Sequence, residues 1–283
     1  MLLFKEIAPL RAYLNSQRLK GDTIGFVPTM GALHQGHIAL VHESIANHEV
    51  TVASIFVNPT QFNNQEDLVK YPRTMERDIE LLEASGCSIL FHPEAAQMYP
   101  DGFATGHYEW DHITDSLEGA FRPGHFDGVI TIVKKLFEVV EPHSAYFGQK
   151  DFQQCAVIGE MIKRFEMGVN LHVCPTLREK DGLAMSSRNV RLSDAGRKDA
   201  LLIFDALSYI KQQQETQEVS QLVAGAEQLL LKSSIMKPEY IAVVEKDSLK
   251  PADKLLPNRK YVALIATWCG NVRLIDNMLL RDS

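Results

Sequence analysis

The 283 residues are 45% hydrophobic and 23% charged, enough apolar material for one large core or two smaller ones. With 29 Lys and Arg against 36 Asp and Glu the formal charge is -7, which argues against a general nucleic-acid-binding surface. No run of about 18 uncharged apolar residues occurs, Met1 to Glu6 soon turns polar, and Cys87, Cys155, Cys174 and Cys269 lack CxxC or zinc spacing, so a cytoplasmic chain with reduced thiols and no membrane span is expected.

Ile7 to Lys20 carries Ile7, Leu10, Leu14 and Leu19 at near-helical spacing and meets Gly21, a common helix stop. Thr23 to Val27 reads as a buried strand ending at Pro28, and the next helix starts near His34 to His37 and runs to Asn47. Glu49 to Val57 is a second strand, stopped by Asn58 and Pro59, which completes a βαβ unit. Thr74 caps a helix with Glu76 and Asp78 in its first turns and Gly86 at its end, before a strand over Cys87 to Phe91. A helix over Gly128 to Val140, a strand over Ser144 to Phe147, a helix over Phe152 to Phe165 and a strand over Asn170 to Cys174 continue the alternation. This is an α/β pattern, a Rossmann-like and mostly parallel sheet with right-handed crossovers.

Near Pro175 the pattern changes. Ser193 caps a long helix to Gln213, a second helix covers Val219 to Lys232, and strands follow at Tyr240 to Val244, Tyr261 to Thr267 and Val272 to Ile275, the last two turned by Gly270 and Asn271. Residues 1–176 are therefore expected to form the Rossmann-like domain and 177–283 a smaller α+β domain, with its closure over a nucleotide left open.

The first βα turn, Pro28 Thr29 Met30 Gly31 Ala32 Leu33 His34 Gln35 Gly36 His37, is the richest in chemistry. Its glycines let backbone approach a ligand, and the helix start that follows favours an anion. His34 and His37 project from one side of that turn and suit phosphate oxygens. Lys150 follows a strand and Gly148, so its ammonium can reach a pocket at the sheet's C-terminal edge; the bland reading is a surface lysine paired with Asp151. Met185, Ser186, Ser187 and Arg188 bring two hydroxyls and a guanidinium fork into one loop, suited to polyphosphate, though a plain turn would look similar. Gln61 and Gln154 are neutral amides that suit a small hydroxy acid. Arg122 to Phe126 reads equally as a lid or a structural turn, and Glu118 is placed to pair with Arg122.

The HxGH element resembles that of the adenylyl-transferring superfamily of nucleotidylyltransferases and class I aminoacyl-tRNA synthetases. Joined to Phe56 to Phe62, Arg122 to Phe126, Phe147 to Gln154, Met185 to Asn189 and Val272 to Asn277, it looks like the pantothenate synthetase family of ligases, over nearly the whole chain. The resemblance implies ATP-dependent joining of (R)-pantoate and β-alanine through a pantoyl adenylate, with release of AMP and pyrophosphate. It implies that Met30, Gly31, Ala32, Leu33, His34, Gln35, Gly36, His37, Gly148, Gln149, Lys150, Asp151, Leu177, Met185, Ser186, Ser187 and Arg188 bind ATP. His37, His34 and Lys150 act in catalysis, and Asp151 lies on the ribose or adenine side. Gln61 and Gln154 hold pantoate and β-alanine, with Met30 and Phe62 as apolar walls. Mg2+ accompanies the ATP phosphates, with Asp78 as a candidate ligand that serves its own helix dipole equally well. A homodimer is implied, and the partners are small molecules, with neither nucleic acid nor membrane. Rival readings are a nucleotidylyltransferase, a tRNA-binding synthetase relative and a non-catalytic nucleotide-binding module.

Overall fold

Alternate residues of the apolar run Ile24–Thr29 face opposite sides of one sheet, and helices cover both sides. The computed structural model describes residues 1–63 and 65–280. The chain divides into two compact units, Met1–Gly148 with Gln154–Pro175, and Gln149–Gln153 with Thr176–Ser283.

In the first unit β1 (Leu2–Phe4), β2 (Ile24–Thr29), β3 (Val50–Ile55), β4 (Ile89–Phe91), β5 (Ser144–Gly148) and β6 (Asn170–Cys174) form one parallel sheet in the order β1-β4-β3-β2-β5-β6. On one face Phe26 and Val52 meet Leu10 and Leu14 of the helix Ile7–Arg18 and Ile130 and Phe137 of the helix His125–Val140. On the other, Val27 and Ile55 meet Ile38 and Val41 of the helix Gln35–Asn47 and Leu82 of the helix Met75–Ala84. The chain moves outward from β2 to β3 in one direction and later enters β5 on the opposite side of β2. The C-terminal ends of β2 and β5 therefore flank the switch point at which open α/β sheets bind ligands.

In the second unit β7 (Met236–Glu245), β8 (Tyr261–Cys269) and β9 (Val272–Leu279) form an antiparallel sheet in that order. The helices Leu201–Gln213 and Val219–Leu230 bury Leu207, Ile210, Leu222 and Leu230 against Val243, Ala263, Ile265 and Leu274. Gly270, with φ 59°, opens the two-residue turn between β8 and β9.

Several boundaries differ from the sequence expectation. The helix expected from Ser193 to Gln213 is two, Asp194–Asp199 and Leu201–Gln213, meeting at the fully buried Ala200. Strand β7 begins four residues early, at Met236; Pro238 lacks an N–H, and the register shifts between Pro238 and Tyr240, a disruption an edge strand accommodates. Strand β1 and the short helices Gln65–Lys70, Ala95–Met98, His112–Asp115 and Glu118–Phe121 had no counterpart in the sequence reading. Among the described residues no helix is long and apolar enough to cross a membrane.

Candidate active site

The chain leaves β2 through two successive left-handed residues, Gly31 at φ 82° and Ala32 at φ 49°. The second is unfavourable for a residue with a Cβ. What holds it is Asp78, 1% exposed, on the helix Met75–Ala84: its carboxylate accepts the Ala32 and Leu33 N–H groups, each at 2.8 Å, and the Thr74 hydroxyl at 3.0 Å. Three donors on one buried carboxylate give it a structural duty. The carboxylate that the sequence offered equally to magnesium and to its own helix dipole is thus engaged by three donors, and among the described residues no group of three or more His, Cys, Asp or Glu is arranged to hold a metal ion.

Past Leu33 the helix Gln35–Asn47 begins with the two imidazoles interlocked, their ring centroids 4.1 Å apart. His34 Nδ1 accepts the Gly36 N–H at 3.1 Å, and His37 Nδ1 accepts the His34 N–H at 3.3 Å. Each ring thus satisfies a donor that a helix start leaves unpaired. With both Nδ1 atoms accepting, the proton of each neutral ring stands on Nε2, so both rings present a donor edge.

Gln61 closes the short helical turn Pro59–Gln61 beyond β3 and is 9% exposed. Its Nε2 lies 2.9 Å from the sulfur of Met30, which joins the HxGH turn to the amide expected to hold the acid. The Gln61 carbonyl accepts from His125 Nδ1 at 2.8 Å and Arg122 Nη2 at 3.4 Å, and Arg122 pairs with the buried Glu118 at 3.5 Å. The segment Arg122 to Phe126 is therefore built into the support of Gln61, in keeping with the structural-turn reading. A Cβ on Gly128 would stand 2.4 Å from the Thr60 carbonyl oxygen, so only glycine lets this helix approach the turn so closely. Phe62 packs edge-on against Tyr71, with centroids 5.6 Å apart. Gln154, half-buried in the first turn of the helix Phe152–Arg164, has no hydrogen bond to Gln61 among the described residues. A Cβ on Gly148, at the end of β5, would meet nothing within 4 Å.

The second unit gathers the other expected residues. Lys150, in the short helical turn Gln149–Asp151, has a side chain only 17% exposed, and its ammonium is 3.9 Å from Asp151. It lines a small pocket with Ser186, Asn189, Leu274 and Asp276, so it is no surface lysine. Asn277, 1% exposed, ties down this turn: its Nδ2 donates to the carbonyls of Gln149 and Lys150 at 2.8 and 2.9 Å, and its Oδ1 accepts from Gln149 Nε2 at 3.1 Å. Arg178 grips Asp276 with two bonds of 2.6 and 3.0 Å. Burial pushes the Asp276 carboxyl up from its ordinary range, and the Arg178 guanidinium pulls it back. The two-pronged geometry is that of an ion pair.

Arg178 also bridges to Ala184, and Met185 donates to the Leu177 carbonyl at 3.0 Å, so residues 177–185 form a narrow hairpin leading into the serines. Ser186 caps the short helix Ser187–Arg191 by accepting the Arg188 N–H at 3.2 Å. Ser186, Ser187 and Arg188 are thus presented at one helix start. Asp78, Asn58, His125, Asn277 and the Arg178–Asp276 pair had no such roles in the sequence reading. Asn58, His125, Asp276 and Asn277 had a signal only as members of the motifs Phe56 to Phe62, Arg122 to Phe126 and Val272 to Asn277, and Asp78 only as a candidate metal ligand.

A family model described as pantoate-beta-alanine ligase matches residues 2–279. The chain is similar to the pantothenate synthetase of Bacteroides fragilis, 44% identical over 283 residues with all of both chains covered. It is 42% identical to that of Thermotoga petrophila, over 99% of this chain and 100% of the relative. The crystal structure of pantothenate synthetase from Thermus thermophilus superposes with a TM-score of 0.93 at 40% identity, covering both chains fully. That of pantoate-beta-alanine ligase from Francisella tularensis, complexed with beta-gamma ATP and beta-alanine, gives a TM-score of 0.83 at 35% identity, covering 100% of this chain and 99% of that one.

Proposed function

The chain belongs to the pantoate-beta-alanine ligase family, and on that premise we propose how its residues carry out the ATP-dependent joining of pantoate and β-alanine to give pantothenate. In the first step an oxygen of the (R)-pantoate carboxylate attacks the α-phosphorus of ATP. The bond from that phosphorus to the bridging oxygen breaks and pyrophosphate leaves. In the second, the amine of β-alanine attacks the acyl carbon of pantoyl adenylate, the bond to the AMP oxygen breaks, and the amine gives up a proton. No side-chain nucleophile is needed.

The observation that carries the residue assignment is the interlocked pair His34 and His37, whose Nδ1 atoms are both occupied by backbone donors. Their Nε2–H groups serve phosphate oxygens on which charge builds in the first transition state, His37 being the leading catalytic group. The Lys150 ammonium, the Ser186 and Ser187 hydroxyls and the Arg188 fork take further phosphate oxygens. Met30 to Gln35, Gly148, Gln149, Leu177 and Met185 complete the nucleotide contacts, with Asp151 toward the ribose or adenine. Gln61 and Gln154 orient pantoate, so alignment and charge stabilisation supply the rate. ATP and β-alanine as ligands are supported by the relative crystallised with beta-gamma ATP and beta-alanine. Mg2+ would arrive with the ATP phosphates and its own waters. Among the described residues no group of three or more His, Cys, Asp or Glu is arranged to hold an ion by itself.

We read the enzyme as cytoplasmic and homodimeric. The four cysteines, none of them in a disulfide, suit a reducing compartment, and β6, an edge strand with Val173 45% exposed, offers an edge for a second copy. Light scattering tests the dimer. The catalytic assignment is tested by pyrophosphate release in a single turnover with ATP and pantoate alone. His37→Ala and Lys150→Ala should each slow it by about 100-fold or more with the fold intact. Wild-type rates in both variants would overturn the assignment.

A further inference from the structure

We propose that Tyr99 is a positioning residue for the hydroxy acid, acting through Asn58 to fix which end of the Gln61 amide faces the substrate. This role rests on the reading of Gln61 as a pantoate-binding residue. The two ends of a primary amide are alike in shape and opposite in hydrogen-bonding sense, so packing alone does not choose between them. The neighbours must choose.

Asn58 is 1% exposed and Tyr99 4%. The Tyr99 hydroxyl donates to Asn58 Oδ1 at 2.7 Å, and the Thr60 hydroxyl donates to the same oxygen at 3.1 Å. With Oδ1 held by two hydroxyls, Nδ2 turns to acceptors, the Gly128 carbonyl at 3.1 Å and Gln61 Oε1 at 3.2 Å. The Gly128 carbonyl accepts only, so a reversed Asn58 would set two oxygens against each other in a buried place. The carbonyl end of Gln61 is thereby assigned to Asn58, and its NH2 end is aimed at the Met30 sulfur, 2.9 Å away. A thioether is a weak acceptor, so this NH2 group keeps donor capacity for a stronger one, a hydroxyl or carboxylate oxygen of the acid. Gln61 is therefore a donor to substrate.

The position of Tyr99 is itself secured. The Lys135 ammonium lies 4.3 Å from the centre of its ring and donates to the Met98 carbonyl at 2.8 Å. Burial pushes the phenol above its ordinary range, which favours the protonated, donating form.

The test uses the full-length enzyme and pantoate-dependent pyrophosphate release. Tyr99→Phe should raise the KM for pantoate about tenfold, the scale of one hydrogen bond to a buried partner. The KM values for ATP and β-alanine should stay within about twofold. In a Gln61→Ala background Tyr99→Phe should have no further effect on the pantoate KM, because the amide it orients is gone. A rise shared by all three substrates, or an undiminished effect in the Gln61→Ala background, overturns the role of Tyr99 while leaving that of Gln61 standing. A Gln61→Ala enzyme with an unchanged pantoate KM overturns both. Should Tyr99→Phe fail to fold, Thr60→Val removes the other hydroxyl donor, with a smaller rise and the same cycle expected.

Discussion

Replacing Asp78 with Asn keeps its shape and removes its charge, and the outcome can be worked from three contacts. Two backbone N–H groups, of Ala32 and Leu33, each reach the carboxylate at 2.8 Å, and the Thr74 hydroxyl adds a third donor. Asn has one oxygen to offer, so its NH2 group faces one of those N–H groups. One charge-assisted bond is lost, about 2 kcal/mol, and one buried N–H goes unpaired, about 2 more. Against this the neutral amide sheds the burial penalty of a carboxylate, so the net destabilisation is set near 2 kcal/mol rather than 4. For a protein of this size that is about 4–8 °C in melting temperature. Thermal denaturation followed by circular dichroism reads it directly, and adenylation should fall because the HxGH turn loses its anchor. A variant melting within about 1 °C of wild type would refute the reasoning. Recovery of activity as Mg2+ is raised would instead mark Asp78 as a metal ligand, and none is expected.

Gly128→Ala drives a Cβ to 2.4 Å from the Thr60 carbonyl oxygen and 2.7 Å from the Gln61 nitrogen, backbone atoms that cannot swing aside. It should destabilise the fold by about 2–3 kcal/mol and raise the pantoate KM, and an unchanged melt would contradict the close approach. Glu49 is held to about 2 by the Thr23 hydroxyl and then by the Thr23 backbone N–H, both bonded to its carboxylate. A depressed carboxyl contributes stability above its ordinary range and loses it as pH falls through the folded value. Glu49→Gln should therefore flatten the fall in denaturation midpoint between about pH 4.5 and 2, and an equally steep fall in the variant counts against the bond.

The parallel sheet was legible because its inner strands are buried on both faces and read as short apolar runs bounded by Gly, Pro or Asn. Strand β1, three residues long, is too brief to show a period, and the four-residue helices between Ala95 and Phe121 complete barely one turn. The interruption at Ala200 was hidden by the best helix former of all. Within the candidate site, HxGH was visible because glycines and histidines crowd one turn. The supporting roles around the site were not. Asp78 reaches back 46 positions to Ala32, Tyr99 reaches 41 to Asn58, and Asn277 reaches 127 to Lys150. A hydrogen bond between such distant positions leaves no local signature in composition or spacing.

The five residues Gln149–Gln153 belong to the second unit although they are encoded inside the first. The second unit is thus no cassette. A gene fragment for residues 176–283 would carry Ser186, Ser187 and Arg188 without Lys150, and Asn277 without the two carbonyls it binds. Recombination that exchanged the C-terminal part of this chain for a relative's would pair a foreign Asn277 with the native Gln149–Lys150 turn, so the two stretches should be inherited together or fail together.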